Sequence, residues 1–462
     1  MSELAVPDQR GLVFGRAPKP VECGYGLRIG AGLVFPEVNF TLPAITICGE
    51  TWQEILSQYE DMGRTIIRRA VALKVPGLVV EFELLPPMTE TPEWGAEITA
   101  LFVRRLSEAW REHGLRSALR VTPTDIRDQA KPPQLRSGPA WEKLRRSFQE
   151  CIAAGAHIMS IESVGGKEVH DQALMYGDLP GIVFALGVLA PRDVRWLWGN
   201  IAGMCDAGHS IPGGDTACGF ANTAMQLAHQ KMLPEVLAAV VRAMAAPRSL
   251  VAYESGAVGP SKDCAYEGPV MKAVAGVPIS MEGKSASCAH FSPLGNIAAA
   301  MCDLWSNESV QNVRLLSGSA PEAFTEMLAY DCRLMNQALK QGEEIRLRDL
   351  LTGSDEWLSP QAAVLSPAAT IAIARAIVSE TDDYRRTLGA GRAAVKILRD
   401  GLSAGKLALA KKELNWLSRI DNELEQMPEA EDQLMAKVAG QYDGLWDPAS
   451  YGFPTSPKDP RC

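Results

Sequence analysis

Residues 157–162 read HIMSIE, a short apolar run that ends on a glutamate just before the Gly165–Gly166 turn. Runs of the same kind recur on both sides: LVVEFE (78–83), SALRV (117–121), GIVFAL (181–186), HSIPGG (209–214), SLVAYE (249–254) and PISME (278–282). Most are continuously apolar rather than alternating, the pattern of strands buried on both faces of a parallel sheet. An eighth strand is expected within Phe40–Ile47. Between these runs lie helical patterns over Thr51–Leu73, Glu97–His113, Ala140–Ala154, Pro191–Ala207, Ala221–Met244 and Val270–Val274. Strand and helix alternating this often imply a parallel sheet with right-handed crossovers, and eight repeats close a (β/α)8 TIM barrel. An open doubly wound sheet is the second choice, but no GxGxxG follows an early strand.

Beyond about residue 320 strand signals disappear. Pro321–Lys340, Pro367–Val378, Asp383–Ala404 and Leu407–Met427 read as helices, the first two with proline at the first helical position. The expected organisation is a catalytic barrel with an N-terminal extension over 1–320 and a helical C-terminal region over 321–462 packed on it. The tail Tyr451–Cys462 holds three prolines and is expected to be a loose end.

With 46 Lys+Arg against 55 Asp+Glu, the 462-residue chain carries a net charge of −9, which gives no electrostatic reason to bind nucleic acid or anionic membrane. No stretch of 18 uncharged apolar residues and no signal peptide is visible, so a cytoplasmic protein with no membrane span is expected. The ten cysteines (23, 48, 151, 205, 218, 264, 288, 302, 332 and 462) are scattered without a CxxC, which excludes zinc-ribbon and ferredoxin patterns. In a reducing compartment most of them are small buried hydrophobes.

In a barrel, catalytic groups come from the C-terminal ends of the strands. Those ends carry Glu83, Glu162, Asp215 with Cys218, Glu254, Cys264 and Glu282. Cys218 sits in PGGDTACGFANTAM (212–225), a glycine-rich turn running into a helix, where the helix N-terminus favours a thiolate. Cys264 holds a similar place in GAVGPSKDCAY (256–266). Glu162, Cys218 and Cys264 together suit zinc with one coordination position left open; the competing reading is two buried cysteines and a surface glutamate. Asp215 reads as a hydrogen-bonding group or a turn residue, Lys262 as a cation offsetting the charge of the site or a solvated loop residue, and Glu83 and Glu254 as general acids or barrel ion-pair members. His290 reads as a satisfied histidine at a helix start, with an active-site group as the lesser reading, and its neighbour Cys288 as structural.

The strings SIESVGGKEV (160–169), GGDTACGFANTAM (213–225), APRSLVAYESGAVGPSKDCAYE (246–267) and MEGKSASCAH (281–290) closely resemble the zinc-containing methanol:corrinoid methyltransferase family. The resemblance runs on through WGAE (94–97), LWSNESV (304–310) and LAYDC (328–332) to the terminal YGF (451–453). It implies zinc held by Glu162, Cys218 and Cys264, methanol as substrate, and methyl transfer to the Co(I) corrinoid of a partner corrinoid protein. It also implies a homodimer within a heterotetramer. Two thiolates and a carboxylate leave a Zn²⁺ site at a formal charge of −1, so a nearby acid (Asp215 or Glu83) is expected to protonate the departing oxygen. The N-terminal βα loops match the family less closely, so another methyl donor such as a methoxylated aromatic is the first alternative. A TIM-barrel zinc hydrolase is disfavoured by the six histidines, and a non-catalytic scaffold by the intact Glu/Cys/Cys set.

Overall fold

The architecture follows from seven parallel strands, seen in a computed structural model that describes residues 1–41, 45–262, 264, 266–289, 293–310, 314–315 and 318–454. They are β1 (Phe35–Thr41), β2 (Leu78–Leu84), β3 (Ser117–Pro123), β4 (Ile158–Ile161), β5 (Ile211–Asp215), β6 (Ser280–Glu282) and β7 (Leu304–Val310). They form one sheet in the order β5-β4-β3-β2-β1-β7-β6. β2 and β3 show why the apolar runs are strands: almost every residue is buried, as expected between an inner core and an outer layer of helices.

The sheet's two edge strands, β5 and β6, do not pair with each other. The segment Val258–Ser261 lies between them: Val258 and Gly259 donate N–H bonds to Pro212 and Gly213 of the β5 region, and Ser261 donates to Pro278 O. This irregular stretch closes a TIM-barrel-like ring where an eighth strand is expected. Inside, Arg120 of β3 ties the wall together. It reaches Glu37 Oε1 of β1 at 2.8 Å, Ser160 Oγ of β4 at 2.8 Å and Pro260 O of the closing segment at 2.9 Å.

Several expectations need correction. GIVFAL (181–186) is helix Leu179–Phe184 running into a π-helical turn and then helix Ala190–Gly208. SLVAYE (249–254) is the last part of helix Glu235–Glu254. Both segments are buried on all sides, so a helix there shows no amphipathic period and looks like a buried strand. The expected helix Ala221–Met244 divides into Cys218–His229 and Glu235–Glu254, with Pro234 at the break. The first strand lies mostly ahead of Phe40–Ile47, and β7, in the place of LWSNESV, supplies a strand the sequence pattern does not announce. Helix Glu235–Glu254 is long and apolar enough to cross a membrane, but it is wholly buried inside the protein and is a core helix.

The N-terminal extension has a structural task. The antiparallel hairpin Arg16–Cys23/Leu27–Ala31 packs Cys23, Leu27 and Ile29 against Phe35, Val79, Ala118, Ile158 and Leu304, which lie at the starts of five strands. It plugs the N-terminal end of the barrel and leaves the C-terminal end as the approach. Helix Ala320–Gln341 packs beside helix Trp52–Ala72, β1 and β7, while helix Asp383–Ser403 lies on helix Glu235–Glu254. The expected loose end does not include Tyr451: that residue is buried, and its hydroxyl accepts the Gly166 N–H at 2.9 Å, which ties it to the turn after β4. Residues 455–462 lie outside the described residues.

Candidate metal centre and active site

Glu162, one residue past β4, Cys218, the first residue of helix Cys218–His229, and Cys264, after the closing segment, converge. Their oxygen and sulfur atoms all lie within 4.8 Å of one another. The Cys264 thiol donates to Glu162 Oε1 at 2.8 Å, and the Asn222 amide, one helical turn beyond Cys218, donates to Cys218 Sγ at 3.3 Å. The hydrogen bond with Cys264 lowers Cys218, but burial and the carboxylates of Glu162 and Glu282 outweigh it and leave the thiol up at about 12. Cys264 is raised by its hydrogen bond to Cys218 and by burial. Two soft sulfurs and one oxygen at this spacing fit a tetrahedral zinc donor set, in which the cation replaces the thiol protons.

Lys262 is fully buried beside this group. Its ammonium lies 3.0 Å from Glu81 Oε1, 2.8 Å from Glu83 Oε1, and 3.8 Å from both Glu162 Oε1 and Cys264 Sγ. It is a core cation shared by the ends of β2, β4 and the closing segment, not a solvated loop residue. Glu81 and Glu83, which alternation places on one strand face, both reach it; Glu81 also accepts from Thr122 Oγ1 at 2.9 Å. Glu83 and Glu162 are the members with an open edge, at 31% and 32% side-chain exposure. Both line a cleft of about 310 Å³ at the C-terminal ends of β2, β3 and β4, along with Thr122, Asp128, Lys167 and Gly219. Burial and the neighbouring Asp125 push the Asp128 carboxyl upward, which makes it a cleft acid that no motif pointed to.

Asp215 is buried and saturated. It accepts from Ser163 N–H at 3.2 Å, Thr216 N–H at 2.8 Å, Trp198 Nε1 at 2.8 Å and Arg248 Nη2 at 3.2 Å. With every direction occupied by a donor, its carboxylate joins the ends of β4 and β5 and does not face the cleft. The loop after β4 is held further by Arg127, whose guanidinium pairs with Asp125 and Asp193, while Asp125 Oδ2 accepts Val164 N–H at 3.1 Å. Glu254 is not brought to the site. It ends a helix rather than a strand, and it pairs with Arg386 at 3.0 Å and the N-terminal amine at 2.9 Å. Glu282 is buried at the end of β6 and acts on Cys218 through its charge. His290 lies outside the described residues, and Cys288 is exposed.

The family model described as methanol-cobalamin methyltransferase B subunit matches residues 1–452. The methanol–corrinoid protein co-methyltransferase of Methanosarcina barkeri is 36% identical over 459 residues, covering 98% of this chain and 99% of the relative. The solved methanol:cobalamin methyltransferase complex MtaBC from Methanosarcina barkeri contains a chain that matches with a TM-score of 0.93 at 34% identity, over 98% of this chain and 99% of that one. Matched by the family model over residues 1–452 and by a 36% identical relative over 98% of its length, the chain belongs to the methanol–cobalamin methyltransferase B subunit family.

Proposed function

We propose that this chain binds methanol and delivers its methyl group to the Co(I) corrinoid of a partner corrinoid protein, using one zinc ion held by Glu162, Cys218 and Cys264. The convergence of those three side chains beside the cleft carries the reading. Bound there, zinc supplies Lewis acidity toward the methanol oxygen, which is otherwise a very poor leaving group. In the transfer, the Co(I) electron pair forms the new bond to carbon, the C–O pair stays on oxygen, and the oxygen takes up a proton to leave as water. Glu83, on the cleft wall and ion-paired with Lys262 at 2.8 Å, is the carboxylate we assign to passing that proton on: it takes the proton up from solvent in the cleft and hands it to the departing oxygen. Lys262 keeps the neighbouring carboxylates from repelling one another, and Asp215 holds the turns that carry Glu162 and Cys218. Because the hairpin fills the other end of the ring, the corrinoid protein approaches over the C-terminal ends of the strands.

We take the working assembly to be a dimer of this subunit with a corrinoid subunit on each, in the cytoplasm; the family resemblance supports the first and the free cysteines, as a reducing compartment keeps them, the second. The test is zinc content together with methyl transfer to free cob(I)alamin, from methanol and from methoxybenzoates. The expected result is one zinc per chain, methanol as the better donor, loss of turnover in Glu162→Gln, Cys218→Ala and Cys264→Ala, and slower turnover in Glu83→Gln. Zinc-free wild-type protein, or near-wild-type turnover in any of the three ligand variants, overturns the reading; a faster rate from methoxybenzoates replaces the donor.

A further inference from the structure

The β4–β5 ladder ends at Ile161 opposite Asp215, before either Glu162 or Cys218, and Cys264 lies on a segment outside it. Glu162 follows β4, Cys218 opens a helix after β5, and Cys264 follows the irregular closing segment. Main-chain register alone does not fix their mutual spacing. Helix Glu235–Glu254 supplies what the ladder lacks, through two adjacent buried residues. Arg248 donates to Thr216 O at 2.8 Å, two residues before Cys218, and to both Ser163 O (3.4 Å) and Ser163 Oγ, directly after Glu162. Ser249 accepts from Arg248 Nη1 at 3.3 Å and donates its hydroxyl to Glu267 Oε1 at 2.8 Å. The same Glu267 oxygen accepts the Ala217 N–H at 2.6 Å, one residue before Cys218. Glu267 itself stands three residues after Cys264 and is 3% exposed. Ala217 is the N-cap of helix Cys218–His229, and Glu267 accepts its backbone N–H, the role that the acidic side chain has in a capping box.

We infer that the Arg248–Ser249–Glu267 array sets the spacing of the three ligands, and that Glu267 is the positioning residue that fixes the Cys264 segment to the Cys218 turn. The inference rests on the zinc reading above. Groups that orient metal ligands commonly contribute about 10- to 100-fold to metal affinity when removed. A cap with a purely structural task would change stability and leave the geometry of the bound ion alone.

The experiment compares wild type with Glu267→Ala, Glu267→Gln and Ser249→Ala as full-length, metal-free proteins. Three quantities are read: denaturant stability, zinc affinity by chelator competition, and the visible spectrum after cobalt(II) is added as probe. Glu267→Ala is expected to bind zinc about 10- to 100-fold more weakly, with altered cobalt band intensities. Glu267→Gln keeps an acceptor oxygen for both donors, so it should stay within about threefold of wild type, while Ser249→Ala should lose about three- to tenfold. The inference is overturned if Glu267→Ala binds zinc within about twofold of wild type with an unchanged cobalt spectrum, or if Glu267→Gln is as weak as Glu267→Ala. Should Glu267→Ala fail to fold, an unchanged affinity and spectrum in Ser249→Ala overturns it in the same way. Wild-type protein that binds neither metal refutes the zinc reading, and this inference with it.

Discussion

Replacing Lys262 with Met keeps most of the side-chain volume and removes one buried positive charge. The structure sets the size of the effect. The ammonium serves Glu81 at 3.0 Å, Glu83 at 2.8 Å and Glu162 at 3.8 Å. Deleting one partner of a buried ion pair costs about 3–5 kcal/mol, because the other charge stays in a dry environment without compensation. Glu83 and Glu162 are about a third exposed, so water covers much of their share. Glu81 has no exposure and cannot be rescued that way. The expected loss is therefore near the lower end, about 3 kcal/mol, in urea unfolding of the metal-free protein. Adding Glu81→Gln removes the stranded charge and leaves an oxygen that still accepts from Thr122, so the double variant should recover to within about 1 kcal/mol of wild type. A single variant within about 1 kcal/mol of wild type, or a double variant no more stable than the sum of its parts, would show that Lys262 is not the charge partner described.

Two further outcomes follow from residues other than the Glu162, Cys218 and Cys264 group. Burial pulls His157 down from 6.5 to about 4, and its Nδ1 accepts the Leu119 N–H at 2.9 Å, so the folded protein holds the neutral ring. The unfolded chain binds the extra proton between those values, so this stability is whole above about pH 6.5 and is lost as pH falls toward 4; at about 1.36 kcal/mol per pH unit it amounts to about 3 kcal/mol. His157→Asn, which keeps an acceptor, should flatten the pH dependence of urea unfolding over that window, and an unchanged slope refutes the assignment. At Gly165 an added Cβ would lie 2.3 Å from Asp193 Cβ and 2.4 Å from Asp193 Oδ2, in the middle of the Arg127 ion pair. Gly165→Ala should cost about 3 kcal/mol in the same measurement, overpacking and a displaced carboxylate acting together, and a neutral substitution would contradict the packing.

The ring and its acidic mouth were legible because five of the strands, β2 to β6, coincide with short strand-like runs, of which those of β2, β4 and β6 end on a glutamate and that of β5 in a glycine-rich turn. The two false strands have a common cause. Helices Leu179–Phe184 and Glu235–Glu254 are buried around their whole circumference, and a 3.6-residue period needs a wet face to be visible. The missed placement of β1 has another: Pro36 removes a ladder donor in its second residue, and buried Glu37 and Asn39 break the apolar run. The family resemblance and the strand-end reading gave the same three ligand candidates, and the structure places those three together. Glu254 was misplaced because its helix was read as a strand. Glu267 and Arg248 carried no signal beyond lying inside a long motif, since a positioning role is a matter of partners that sequence spacing does not reveal.

The segment that stands in for the eighth strand has a consequence for how this ring can vary. A laddered strand transmits any insertion as a register slip to both neighbours, turning every following side chain to the wrong face. Val258–Ser261 is held by only three described main-chain bonds to its neighbours, and Lys262 and Cys264 are then anchored by side chains. The stretch between helix Glu235–Glu254 and Lys262 can thus gain or lose a residue without re-threading the sheet. Its length is free to drift while the far ends of the loop stay pinned, which makes this seam the part of the wall where sequence length and ligand geometry are uncoupled.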